Sequence, residues 1–412
     1  MNQVVRSAVV VGAGVGGLAV AGALARSGWQ VTLLERADRV RPGRAALVLW
    51  PNGVRALRAL GLGDGLDAIA TPVPPTGLRR PDGQWLRQPG PSAAESAAGS
   101  GPAVRVGGDP VVVHREDLHD AFVAGLGDHV DIRTGVTVRA ARPGVDRPTV
   151  ADGRTTWEAD LVVAADGVDG AVRQRLAPSS RPASAGCAAW RAVIPGYRAP
   201  KLPADTPPAG QTLGVGHSFG YVALTDRAAS HGGFHWTAVA PGAPRPEPPE
   251  AQLALLRRWF AGWHAPVPDL LAATEPEDLV QERVVDLTPL PEAFAVASGT
   301  GGYVLLGDAA HAIADPLRVA TSLALEDAAT LRALLAPAIP GRTLAAGLDA
   351  YASQRRARVL RLARQSRRLS VVLQARGGLV VRARELAFGS LAPKLMDAVA
   401  AEAVAWQPPA TA

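Results

Sequence analysis

A single cysteine, Cys187, occurs in the 412 residues, so no internal disulfide can form, and no Cys/His spacing of a structural zinc site is present. This fits a reducing cytoplasm. Lysine is almost as scarce: only Lys201 and Lys394 occur, so the net charge of +6 rests on arginine. That excess is modest for the length, and the one arginine cluster, near the C-terminus, has no aromatic stacking platforms beside it, so nucleic acid is not expected as a partner. Beyond the first apolar run, Ser7 to Leu24, none is long enough to span a bilayer. That first run follows Arg6 like a secretory signal, but five glycines interrupt it and no small-residue cleavage site is clear. A soluble, cytoplasmic protein is expected. The sequence also lacks a G-x-S-x-G nucleophile elbow and an HExxH zinc helix; His231 and His235 have the spacing but sit in the glycine-containing SHGGFHW. Hydrophobic residues at 48% and charged residues at 19% leave a globular chain long enough for two or three lobes.

Glycine is what the chain does have, and the stretch Ala8 to Arg36 uses it with a purpose. Ala8 to Val11 suits a buried parallel strand, and Gly12, Gly14 and Gly17, with Gly16 beside the third, give the G-x-G-x-x-G spacing at the entry to a helix. The first glycine permits a tight turn, the second lets a pyrophosphate approach the backbone, and the third lets helix and strand pack closely. Free N–H groups at the helix start face the anion. A second strand, Gln30 to Leu34, ends at Glu35, roughly 20 residues on, where a carboxylate accepts the hydroxyls of an adenosine ribose. Arg36 adjoins it. A dinucleotide site is the reading these residues favour over a packing turn.

Further along, Pro51 opens a helix that ends at Gly61 and Gly63, and Arg44 before it suits a phosphate or a nicotinamide nucleotide as well as it suits a solvated loop. Gln88 to Ala103 is a loop rich in proline, glycine and serine. Val111 to Val113 is a short strand, Arg115 stands at its junction with a helix, and strands are expected over Val130 to Arg133 and Val136 to Ala140. Leu161 to Ala165 reads as a buried strand with Asp166 and Gly167 at its carboxyl end, where ligands collect in open α/β sheets. Ser184 to Asp286 is β-rich and concentrates Trp190, His217, Tyr221, His235 and Trp236, which suit either a cavity for a flat apolar substrate or an ordinary sheet core. A strand at Tyr303 to Leu306 precedes GDAAH, and an arginine-rich helical tail closes the chain, with Arg361, Arg364 and Arg368 on one solvated face.

The order of Gly12-x-Gly14-x-x-Gly17 with Glu35, Arg115-x-x-Leu118, Asp166-Gly167 with Arg173, and Gly307-Asp308-Ala309-Ala310-His311 resembles the class A FAD-dependent monooxygenases, which have the para-hydroxybenzoate hydroxylase fold. The resemblance runs from about residue 7 to residue 370. It implies an α/β fold: a Rossmann-like FAD-binding domain (1–75, 104–183 and 287–346), an inserted β-rich substrate domain (76–103 and 184–286) and C-terminal helices (347–412). It implies FAD as cofactor and NAD(P)H as transient reductant, with no second Rossmann domain for the latter. Glu35 then holds the adenosine ribose, Arg115 lies along the FAD, Asp308 binds the ribityl chain, and Asp166-Gly167 belongs to the shared dinucleotide motif. The activity implied is hydroxylation or epoxidation of an aromatic or polyketide-like small molecule through a flavin hydroperoxide.

One loop departs from the family. Relatives follow GDAAH with a proline and a G-x-G turn beside the isoalloxazine; here the stretch is Asp315-Pro316-Leu317-Arg318-Val319-Ala320, with both glycines gone. The serine usual in the Asp-Gly motif is Gly170. Two consequences stay open. Arg318, with Asp315 and Pro316, forms a flavin-proximal catalytic loop in which the cation favours a reduced, anionic flavin; or the lost freedom at positive φ closes the site. The second implies a non-redox cyclase or rearrangement catalyst, or a ligand-binding protein without activity. Oligomeric state is not legible.

Overall fold

The alternation of short apolar strands with glycine turns builds a parallel sheet around the first strand. In the computed structural model, which describes residues 5–40, 45–74, 76–89, 110–142, 146–203, 206–227, 230–244, 246–314, 318–388, 401–402 and 404–410, β1 (Arg6–Val11) lies between β2 (Trp29–Leu34) and β12 (Leu161–Ala164), parallel to both. β8 (Val130–Arg133) extends the sheet beyond β2, and β19 (Gly301–Leu305) extends it beyond β12, again parallel. β18 (Ala295–Ser298) closes that edge antiparallel, for the order β18-β19-β12-β1-β2-β8. The strands expected at the glycine turn and at Asp166 thus lie side by side at the centre of one sheet. Such strands are covered on both faces, which is why they read as unbroken apolar runs.

α1 (Val15–Arg26) and α9 (Ala320–Leu335) pack against each other on this sheet, and α10 (Leu344–Leu373) packs on α9. α2 (Pro51–Ala59) also lies on α9; a Cβ at Gly53 would stand 2.5 Å from the Ser322 hydroxyl, so the glycine sets the approach. α3 (Gly63–Ile69), α4 (Arg115–Ala124), α5 (Ala171–Leu176) and α8 (Asp308–His311) complete this part, whereas α11 (Gly378–Phe388) packs with the end of α10 against Leu78 and Leu213 of a second large sheet. Two small sheets flank it: β3 (Ala46–Leu49), β7 (Val111–His114) and β4 (Thr71–Pro72) in one, β11 (Thr156–Glu158), β10 (Thr149–Ala151) and β9 (Ala140–Arg142) in the other. The strand expected over Val136 to Ala140 begins only at Ala140, because the chain from 134 to 139 is irregular.

The β-rich stretch forms a separate sheet of seven strands. Its order is β17 (Val280–Thr288), β13 (Arg181–Ile194), β16 (Ser230–Pro241), β15 (Ser218–Arg227), β14 (Ala209–Leu213), β5 (Leu78–Arg79) and β6 (Trp85–Arg87), antiparallel except where β5 meets β14. One face is covered by α6 (Pro249–Trp259) and α7 (Val267–Ala273) over a core that includes Trp190, Phe219, Trp236, Leu256, Phe260 and Leu270. The other face looks toward the loops of the parallel sheet. Period-2 alternation therefore decides which residues reach a ligand held between the two. Among the described residues no helix is long and apolar enough to cross a membrane, and no His/Cys/Asp/Glu group is arranged to hold a metal.

Candidate functional site

At the carboxyl end of β1 the chain turns at Gly12 with φ of 101°, and a Cβ there would lie 2.4 Å from the Ala165 carbonyl. A Cβ at Gly17 would lie 1.9 Å from the Gly12 carbonyl, so α1 sits directly on the turn. Gly16 backs onto Leu306 in the same way. Gly14 is different: it is the N-cap of α1, and nothing lies within 4 Å of where its side chain would be. The helix has no side-chain cap and no acid in its first turn. Its exposed N–H groups therefore face space that suits an anion. Glu35, just past β2, closes the rim: one carboxylate oxygen accepts from the Ala13 N–H at 2.8 Å and the other from the Ala37 N–H at 2.9 Å. Arg36 beside it is exposed, and Arg115 opens α4 half-buried, its backbone N–H donating to the Ala45 carbonyl. Arg44 lies outside the described residues.

Asp166 follows β12 and turns inward. Its Oδ2 accepts from the Val172 N–H at 2.9 Å, capping the first turn of α5, while Oδ1 is buried without a partner among the described residues. Burial pushes this carboxyl up to about 6, against the pull of the backbone N–H groups of α5 and of Arg173. The inward turn also accounts for Gly170: a Cβ there would stand 1.9 Å from the Asp166 carboxyl carbon, so no serine fits beside this rotamer. Gly167 continues the turn with φ of 75°.

Asp308 is the first residue of α8 and is exposed, whereas Ala309, Ala310 and His311 behind it are buried. What holds them is an ionic network without solvent access. Asp327 accepts from the Gly307 N–H at 2.9 Å, from His311 Nε2 at 2.6 Å and from Arg355 Nε at 2.6 Å. Glu326 next to it accepts from Arg355, Arg358 and Asn52, each at 2.6 Å. Burial works against the Asp327 charge, but His311, Arg355 and the Gly307 N–H together hold the carboxyl below its ordinary range. His311 is thus a structural residue with no access to a ligand. Neither Arg355 nor Arg358 stood out in the sequence; the signal available was their place on the apolar stripe of α10 with Leu348, Tyr351 and Leu362.

A cavity of about 270 Å³ lies between this loop and the seven-stranded sheet. Asp308, Ala312 to Ala314, Arg318 and the start of α9 line one side, β3 and the end of α10 contribute edges, and β13 to β17 form the far wall. Cys187 belongs to that wall; its buried thiol, pushed up by desolvation, accepts from Gln374 Nε2 at 3.2 Å. Four of the aromatic and histidine residues expected to line a substrate pocket do not. Trp190 donates to Gln252 at 2.9 Å, Trp236 stacks on Phe219 and donates to Thr274 at 2.9 Å, Tyr221 donates to the Pro207 carbonyl, and His217 stands edge-on to Trp259. They pack under α6 and α7, because the strand register turns them from the cavity. The same register brings Arg191, Thr237, Gly220 and Gln211 into it, none of which the sequence reading selected.

His235 differs from these four: it lies on the same face of β16 as Thr237, two residues on, but is buried behind the cavity lining, and its Nε2 meets Arg318 Nη1 at 3.3 Å. Asp315 and Pro316 lie outside the described residues. At Arg318 the expectation of lost freedom is corrected, since the arginine itself adopts φ of 59°. The left-handed turn survives there without glycine, at a cost of about 1–3 kcal/mol.

Comparison with known proteins agrees with this arrangement. A family model described as an FAD binding domain matches residues 6–249. Aurachin C monooxygenase/isomerase from Stigmatella aurantiaca is 30% identical over 327 residues, covering 78% of this chain and 79% of that protein. The 3-amino-4-hydroxybenzoate 2-monooxygenase of Streptomyces cremeus is 33% identical over 362 residues, covering 88% and 86%. The crystal structure of Klebsiella pneumoniae HpxO complexed with FAD and uric acid has a TM-score of 0.79 at 26% identity and covers 97% of each chain.

Proposed function

The chain belongs to the class A FAD-dependent monooxygenases, and from that premise we propose how its residues divide the work of an NAD(P)H-dependent hydroxylase of aromatic small molecules. One observation supports the division above the others. The open turn at Gly14, the Glu35 carboxylate and the exposed Asp308 all stand at carboxyl ends of parallel strands, and Asp308 opens directly into the cavity. These groups fit FAD. The Gly12 to Gly17 turn and the α1 N-terminus receive the pyrophosphate, Glu35 takes the ribose hydroxyls, Arg36 and Arg115 flank the adenosine side, and Asp308 takes the ribityl chain. Asp166 and Gly167 border the same side of the sheet.

When bound, FAD supplies the redox chemistry that no side chain offers: electrons from NAD(P)H and one oxygen atom delivered to an aromatic carbon. The protein's own task is position and dryness. The cavity wall from Ala312 to Ala314 with Leu47 and Val48 keeps water from the reacting face, and the sheet residues opposite orient the ring. The residue ranges given above for the FAD-binding and substrate domains follow the same division.

The test is a visible spectrum of the purified protein after FAD loading and desalting, then anaerobic addition of NADH or NADPH with a panel of hydroxylated and amino-substituted aromatics. Retained flavin bands that bleach, followed in air by hydroxylated product formed in step with NAD(P)H use, are expected. A protein that sheds all flavin, or whose flavin ignores both reductants with every aromatic, would overturn the reading.

A further inference from the structure

The cavity face of the seven-stranded sheet carries one polar row. Cross-strand pairing sets Arg191 on β13, Thr237 on β16, Gly220 on β15 and Gln211 on β14 side by side, and all four border the cavity. Two donors in this row lack an acceptor among the described residues. Thr237 is 6% exposed and its Oγ1 is buried without a partner. Arg191 is paired with Glu282 through Nη2 at 2.8 Å, yet its Nε is also buried without one. Such groups call for an acceptor from water, an ion or a ligand, and these two border a cavity that can admit one.

The row has a gap at Gly220, and Arg318 reaches into it from the opposite wall. Its Nη2 lies 3.7 Å from where a Gly220 Cβ would stand, so the glycine leaves the guanidinium its place. His235 steadies it. An arginine can only donate, so His235 Nε2 is the acceptor at 3.3 Å, and the ring proton on Nδ1 goes to the Ala192 carbonyl at 3.1 Å. Burial, reinforced by Arg318, holds this imidazole neutral, so it turns the arginine without competing for an anion.

We propose that Arg318, Thr237 and the Nε of Arg191 form the recognition site for a carboxylate on the aromatic substrate. A carboxylate offers two oxygens with about four acceptor sites, matching donors that come from both walls of the cavity. A neutral amide would set its own N–H groups against the same donors. His235 is a positioning residue in this scheme, acting only through Arg318. The proposal rests on the monooxygenase reading for its ring chemistry but not for the binding preference.

The experiment uses the FAD-loaded protein and calorimetric titration with benzoate, 4-hydroxybenzoate and quinoline-4-carboxylate, each against its primary amide. The acids should bind at least about tenfold more tightly than the amides, the scale of hydrogen bonds to a charged group. Thr237→Val, which keeps the side-chain shape, and Arg318→Gly, which suits the φ of 59°, should each abolish most of that preference. Amides binding as well as acids, no saturable binding of any acid at millimolar concentration, or variants that keep the preference would each overturn it. Acid preference without bleaching of the flavin by NAD(P)H would leave this site standing and remove the hydroxylase reading; bleaching without acid preference would do the reverse.

Discussion

Asp166 shows how much one side chain's rotamer decides. Its carboxyl caps α5 from a buried position and is pushed up to about 6 by desolvation. The folded state therefore holds the proton more tightly than the unfolded chain, whose aspartate titrates near about 4. The sign follows: this contribution to stability is fully present below about pH 4 and is lost as pH rises through about 6. Asp166→Asn keeps an acceptor for the Val172 N–H and removes the titration. In chemical denaturation without FAD, the stability of the variant relative to the parent should rise as pH goes from about 4 to above 6 and then level off. A difference that stays flat across that range would show the carboxyl to titrate normally. At this scale the sequence spoke unevenly. Glu35 and Asp308 were legible because a strand end or a helix start fixes where a residue points. Trp190 and Arg191 were not, since adjacent residues of a strand face opposite ways and only the sheet register says which way is in.

The unit behind Asp308 is a pair of helices tied by charge. α9 supplies Glu326 and Asp327, α10 supplies Arg355 and Arg358, and the network ends on the Gly307 N–H at the start of α8. Two carboxylates and two guanidiniums buried together balance in charge, but the removal of one member leaves its partners desolvated and unpaired. Arg355→Met keeps the bulk of the stem and removes the fork that joins Asp327 to Glu326. The expected loss is about 3–5 kcal/mol of unfolding free energy. Flavin retention should fall with it, because Asp327, which fixes Gly307 and His311 on either side of Asp308, loses the guanidinium that holds and neutralises it. If the variant unfolds at the parent's denaturant midpoint, the network contributes nothing net. The helices themselves were readable from their 3.6-residue stripe. Arginine on that stripe contradicts the usual reading of arginine as solvated, as Arg361, Arg364 and Arg368 are on the exposed side.

Across the whole molecule, the groups that fit FAD come from loops of the parallel sheet, while the cavity wall that we propose for the substrate comes from the seven-stranded sheet. Cofactor and substrate binding are therefore separable by mutation, and Gly14 gives the sharpest separation. Its φ of −70° and ψ of 177° form an extended conformation open to any residue, and no atom lies within 4 Å of its missing side chain. Gly14→Val should thus leave the unliganded protein as stable as the parent, yet place methyl groups where the pyrophosphate approaches the helix. The parent, with FAD at about 100 times its Kd, should gain about 2.7 kcal/mol. The variant should show no such gain at the same concentration, because the ligand that would stabilise it no longer seats. Equal FAD-dependent stabilisation of variant and parent would mean that the phosphates lie elsewhere. Instability of the variant without FAD would mean that the space above Gly14 is not open. Each failure names a different link, the first between turn and cofactor, the second between sequence and turn.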